Sequence, residues 1–101
     1  MSDSKPPIDV IHNEERKRFQ VKKDGYIAEA EYILTGTRII FTHTEVPTAL
    51  GNQGIGAALA KTGLDYARTN NLSVMPLCPF IASYMRKHPE YLDLLAAGVN
   101  L

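Results

Sequence analysis

One cluster, Gly51-Asn52-Gln53-Gly54-Ile55-Gly56, marks where the hydrophobic period of this chain changes from two residues to between three and four. The segment before it buries its apolar residues best as strands and the segment after it as a helix, which makes the chain an α/β domain that opens with a sheet. Residues 10–12 read as a short strand and Asn13-Glu14-Glu15 as a turn, and residues 18–22 alternate as a half-exposed strand. Lys23-Asp24-Gly25-Tyr26 is a hairpin signal, because Asp-Gly readily takes the positive φ of a tight turn. Residues 26–34 alternate again, with Ala28, Ala30, Tyr32 and Leu34 on one face and Ile27, Glu29, Glu31 and Ile33 on the other. After Thr35-Gly36, residues 38–46 form the next strand. A strict period of two places Ile39, Phe41, His43 and Glu45 on one side of it and Ile40, Thr42, Thr44 and Val46 on the other.

A helix is expected from Ile55 to about Thr69, with apolar stripes Ile55, Leu59, Thr62, Tyr66 and Ala57, Ala60, Leu64, Ala67. Only Lys61, Asp65 and Arg68 form a polar seam, so the helix should be covered on most sides. Asn70-Asn71 ends it, residues 72–77 read as a buried strand, and Pro79 opens a shorter helix that His88-Pro89 closes. The order is an antiparallel meander, then strand, helix, strand, helix, and the strands flanking the crossover helix should run parallel. Residues 1–8 are expected to be a flexible tail, residues 9–97 a single domain, and residues 98–101 a second tail.

Eleven basic residues balance eleven acidic ones, so no net field draws the chain to nucleic acid or an anionic membrane. No signal peptide or membrane-length apolar run is present in the sequence, and a cytoplasmic protein, monomeric or weakly dimeric, is expected. The single Cys78 excludes an internal disulfide, and His12, His43 and His88 have no zinc-ligand spacing, so no metal is expected. The apolar core must supply the stability.

A glycine cluster between a strand end and a helix start gives unpaired N–H groups, a positive dipole end and room for close approach, which together suit a phosphate. Gly56 is followed by Ala57-Ala58 rather than Lys-Ser/Thr, so nucleoside triphosphate hydrolysis is disfavoured. The third glycine of a dinucleotide fingerprint is missing, and no carboxylate lies between Asp65 and Glu90 to hold a ribose. Pro47 and Pro76 stand at the ends of the two strands flanking the helix. Either each only ends its strand, or the pair splays and leaves a cleft at the strands' carboxyl ends.

Thr44-Glu45-Val46-Pro47, the glycine loop, Val74-Met75-Pro76-Leu77-Cys78-Pro79-Phe80, Tyr84 and His88-Pro89-Glu90-Tyr91 together resemble the small stand-alone branch of the GCN5-related N-acetyltransferases. The similarity covers nearly the whole chain after the tail. It implies a truncated form of that fold with a splayed strand pair, and acetyl-coenzyme A as co-substrate with an amine acceptor. In that family a Gln/Arg-x-x-Gly-x-Gly/Ala loop grips the coenzyme pyrophosphate. Gly54 and Gly56 match its glycines, but Gly51 holds its first position, which leaves the grip to the backbone of Gly51, Asn52, Gln53, Gly54, Ile55, Gly56 and Ala57. The resemblance also implies that a V-shaped gap admits the pantetheine arm and that the Val46 N–H polarises the thioester carbonyl. The elements that shape the acceptor site in longer members are missing, so the acceptor does not carry over.

Four residues are candidates for the chemistry. Cys78 precedes Pro79 as a helix N-cap, where positive potential favours a reactive thiol; similar family members are regarded as carrying a reactive cysteine here, and an inert buried thiol is the alternative. Tyr84 stands about where other acetyltransferases place the tyrosine that protonates the leaving sulfur, one residue out of spacing, and a core tyrosine is the alternative. His43 and Glu45 could relay a proton from the amine, Glu45 the better by its nearness to Val46. Lys61, one turn into the helix, is the one cation near enough to the loop to aid coenzyme phosphates. A coenzyme-binding module without efficient transfer, and a small interaction domain, are the competing readings.

Overall fold

The computed structural model describes residues 8–101. A five-stranded sheet runs in sequence order, β1 (Ile11–Asn13), β2 (Arg18–Lys23), β3 (Tyr26–Thr35), β4 (Arg38–Glu45) and β5 (Ser73–Pro76). The first four strands form the antiparallel meander, and β5 joins β4 in parallel through the crossover helix α1 (Ile55–Thr69). Helix α2 (Pro79–Lys87) follows β5 directly, and a six-residue 3-10 turn, Pro89–Leu94, closes back onto α1. The mixed α/β order is the one expected, and among the described residues no helix is long and apolar enough to cross a membrane.

Both helices share one face of the sheet, and the core fills the space between. Phe19, Ile39, Phe41, Leu59, Leu64, Val74, Ile81 and Met85 are fully buried there. Gly63 lets α1 close on the sheet: a Cβ at this position would lie 2.9 Å from Cε1 of Phe41. Ala57, assigned to an apolar stripe, is instead exposed, because the covered arc of α1 is centred on Leu59 and Gly63. The expected tail falls on residues 1–7, which lie outside the described residues, and on Ile8, which packs against the core beside Gly54. Near the other end, Leu95 bridges to Val74, and Ala96 N–H donates to the Val74 carbonyl, extending the open edge of β5.

One irregularity decides which side chains face the helices. The β3–β4 ladder pairs Tyr32 with Phe41 but Glu31 with His43, so Thr42 is an extra residue in β4, a β-bulge. Its Oγ1 donates to the Glu31 carbonyl at 3.3 Å. An extra residue reverses the alternation beyond it. Thr44 and Val46 therefore turn towards the core, and His43 and Glu45 turn outward, away from Phe41 and Ile39 with which a strict period of two groups them.

Candidate functional site

The site lies at the end of the sheet where β4 and β5 finish. Their ladder holds for four pairs and stops at Phe41 with Pro76, because Pro76 has no N–H to donate and the bulge at Thr42 bends β4 away. Beyond this point Thr42 to Glu45 continue with no strand on the β5 side, while β5 turns into α2. The two strands thus diverge, as two terminal prolines allow. Cys78 N–H donates to the Phe41 carbonyl at 3.0 Å and closes the bottom of the gap.

Cys78 is the N-cap of α2, with Pro79 in the first helical position, as its sequence context predicts. Only 3 % of it is exposed. Its thiol lies 3.1 Å from the hydroxyl of Thr44, the side chain that the bulge turns inward, and donates to it. Thr44 is a site residue that period-two reading cannot find, since the signal for it is the bulge.

The loop preceding α1 supplies the second half of the site. Pro47 starts a 3-10 turn, Thr48–Leu50, in which Leu50 N–H donates to Pro47 and Gly51 N–H to Thr48, so the amide of Gly51 is occupied internally. From Asn52 onward the situation changes. Among the described residues, the N–H groups of Asn52, Gln53, Gly54, Ile55, Gly56 and Ala57 meet no acceptor, and the first helical bond is Ala58 N–H to the Gly54 carbonyl at 3.0 Å. Gly54 holds φ at 78°, which turns the chain into the helix at a value that a residue with a Cβ resists. Val46 N–H is likewise without a partner among the described residues, at the tip of the strand that has lost its neighbour. Six consecutive donors at a helix start form a concave, partly positive surface suited to an anion. No acidic residue occupies the first turn of α1 to compete with one.

Gly56 sits under Phe80: a Cβ there would lie 2.7 Å from the ring tip. Phe80, 41 % exposed, therefore spans from the first turn of α2 to the first turn of α1, between the free amides and the gap that holds Cys78. It is a wall of the site that sequence reading treated only as part of a motif.

The other two kinds of chemical candidate are placed apart. His43 and Glu45 pair with each other, Nε2 to Oε1 at 3.3 Å, on the sheet face away from the helices and with more than half of each side chain exposed. Cys78 is on the helix side, so the strand pair separates them. Tyr84 belongs to a third cluster. It stacks on His88 with ring centres 4.0 Å apart and faces Tyr91 at 6.2 Å. Burial raises the affinity of its hydroxyl for the proton, Lys61 opposes this, and Glu90 and Asp65 add to it. Lys61 binds Asp65 at 2.7 Å, and Tyr91 donates to the other oxygen of the same carboxylate at 2.7 Å. Arg68 reaches Asp93 and the Glu90 carbonyl. These bonds fasten the 3-10 turn Pro89–Leu94 to α1, which gives Tyr91 and Asp65 a structural part.

Comparison with known proteins agrees with this geometry. A family model described as GCN5-related N-acetyl-transferase matches residues 18–94. The solution NMR structure of a Staphylococcus aureus protein, proposed there to be a GCN5-like N-acetyltransferase, superposes with a TM-score of 0.71 at 28 % identity. The match covers 92 % of this chain and 91 % of that one. No curated protein sequence matches the chain.

Proposed function

Because the chain belongs to the GCN5-related N-acetyltransferase family, we propose that it transfers an acetyl group from acetyl-coenzyme A to an amine. The observation that carries this reading is the run of free amides from Asn52 to Ala57 beside a strand pair that parts at Phe41 and Pro76. The amides bind the pyrophosphate, whose charge the start of α1 stabilises. The pantetheine arm then passes along Phe80 into the gap, which brings the thioester carbonyl to the Val46 N–H. That donor stabilises the oxyanion that forms when the amine attacks.

The two faces of the sheet then have separate duties. The amine approaches from the outer face, where Glu45, supported by His43, accepts the proton it loses as the new C–N bond forms. On the helix face the C–S bond breaks, and the Cys78 thiol gives its proton to the departing thiolate, with Thr44 aligning the S–H. Solvent takes the proton from Glu45 and supplies one to the Cys78 thiolate, which restores both groups for the next cycle.

Two measurements test the reading. Acetyl-coenzyme A at a hundredfold excess over its dissociation constant should stabilise the fold by about 2.7 kcal/mol, seen as a higher melting temperature. Coenzyme A release with a panel of amines should fall on the order of a hundredfold in Cys78→Ala, the usual worth of a general acid. Absence of thermal stabilisation removes the coenzyme from the proposal. Undiminished turnover in Cys78→Ala removes the cysteine.

A further inference from the structure

A general acid that works in every cycle must regain its proton in every cycle. Cys78 is poorly placed to do so alone. It is 3 % exposed and belongs to the buried core cluster, so almost nothing of it is open to water. His43 and Glu45 are exposed to solvent, but they stand on the outer face of the sheet and cannot reach the sulfur through it. Among the described residues, the side-chain partner of the thiol is the Thr44 hydroxyl, at 3.1 Å, and no ionisable side chain bonds to it.

Thr44 has the access to water that Cys78 lacks. It is only half-buried, and it stands in the stretch Thr42 to Glu45 that has no strand on the β5 side. A hydroxyl carries one hydrogen to donate and two lone pairs to accept with, and it rotates about its C–O bond. With the thiol protonated, Oγ1 accepts the S–H and keeps its own hydrogen for a water molecule. Once the sulfur has lost its proton it has none to give, and the same bond forms only in the opposite sense, from O–H to thiolate. Thr44 can therefore face solvent and sulfur by turns.

We infer that Thr44 is the relay through which solvent reprotonates Cys78 between turnovers. The inference rests on the transfer reading above, with Cys78 as its acid. Two protons move in the step. The Thr44 O–H bond breaks as its proton passes to the thiolate and forms the S–H bond, and a water molecule gives a proton to Oγ1 in its place. The hydroxide left in solvent is neutralised by the proton that Glu45 releases on the outer face, so one proton leaves and one enters in each cycle. The hydroxyl then turns back to accept from the thiol. The inward turn that the bulge at Thr42 imposes on Thr44 is what puts this hydroxyl within reach of the sulfur.

The test compares the first turnover with later ones, by rapid-quench measurement of coenzyme A release after protein loaded with acetyl-coenzyme A meets the best amine of the panel. Thr44→Val keeps the branched shape and removes the hydroxyl, and Thr44→Ser restores a hydroxyl. Each molecule of Thr44→Val starts with its thiol protonated, so the loss of a relay is felt only from the second turnover. The ratio of first to later rates should rise roughly tenfold over the wild type, the later turnovers should slow further in deuterium oxide, and Thr44→Ser should behave as the wild type. An unchanged ratio in Thr44→Val overturns the inference, as does a first turnover slowed as much as the later ones, which assigns Thr44 to alignment alone. Slow later turnovers without a solvent isotope effect overturn it too, since release of product then sets the rate, and so does a Thr44→Ser protein that matches Thr44→Val. These four results leave the transfer reading standing. No coenzyme A release by the wild type with any amine, or undiminished turnover in Cys78→Ala, overturns the relay together with the reading beneath it.

Discussion

His12 is packed among aromatic rings on several sides. Its ring stacks on Phe19 at 4.2 Å, meets Tyr66 edge-on at 4.5 Å, and shares a hydrogen bond between Nε2 and the Tyr32 hydroxyl at 2.5 Å. Burial lowers the imidazole below its ordinary value, Glu14 opposes this, and Lys17 adds to it. A folded value below the unfolded one means that the unfolded chain binds more protons, so this stabilisation is present above about pH 6.5 and is lost as the pH falls through the folded value. The melting temperature should therefore drop between neutral and mildly acid pH. Tyr32→Phe should cost about 1 kcal/mol at neutral pH, read by chemical denaturation. Stability unchanged by Tyr32→Phe would mean that the hydrogen bond contributes nothing net to the fold.

Among the elements, α1 is the one whose seating is most exacting. Helix propensity favours Ala over Gly by about 1 kcal/mol, yet at Gly63 an added methyl would lie 2.9 Å from the ring of Phe41, which is fully buried. Overpacking of this kind costs about 1–3 kcal/mol, so Gly63→Ala should lower stability in chemical denaturation, against the propensity expectation. Stability equal to or above the wild type would mean that the helix rides higher on the sheet. The same element shows what the sequence makes legible. Residues 55–69 announce a helix by their period, and the strands by theirs, because burial on one face imposes those periods. What stays hidden are single insertions into a period. Thr42 has no distinguishing side chain, but as the extra residue in β4 it sends His43 and Glu45 outward and Thr44 inward. The 3-10 turns Thr48–Leu50 and Pro89–Leu94 are too short to leave a period of their own, and so Leu50 in the core and the occupied amide of Gly51 could not be read in advance.

For the molecule as a whole, the glycine loop, the terminal prolines and the Cys-Pro-Phe segment were all visible as letters, and their meeting at one end of the sheet follows from the crossover of α1. The bond from Lys23 to Gln53 of that loop has no signal in the sequence, because the two residues stand far apart along the chain and only the meander brings them together. That topology also orders the events of folding. The β2–β3 pairing closes over a two-residue turn, whereas Arg38 of β4 must find Ser73 of β5 across the whole of α1. Pairings of large sequence separation come late and slowly. Only when this one forms does Cys78 gain its bond to Phe41 and its cover. The lone thiol is thus a built-in clock for assembly. In refolding pulsed with an alkylating reagent, its protection should lag behind amide protection of the hairpins, and simultaneous protection would reveal that the far edge of the sheet is part of the nucleus. A nascent or heat-stressed chain accordingly carries its single thiol unshielded until the far edge of the sheet closes, which makes oxidative damage to this protein chiefly a hazard of its youth.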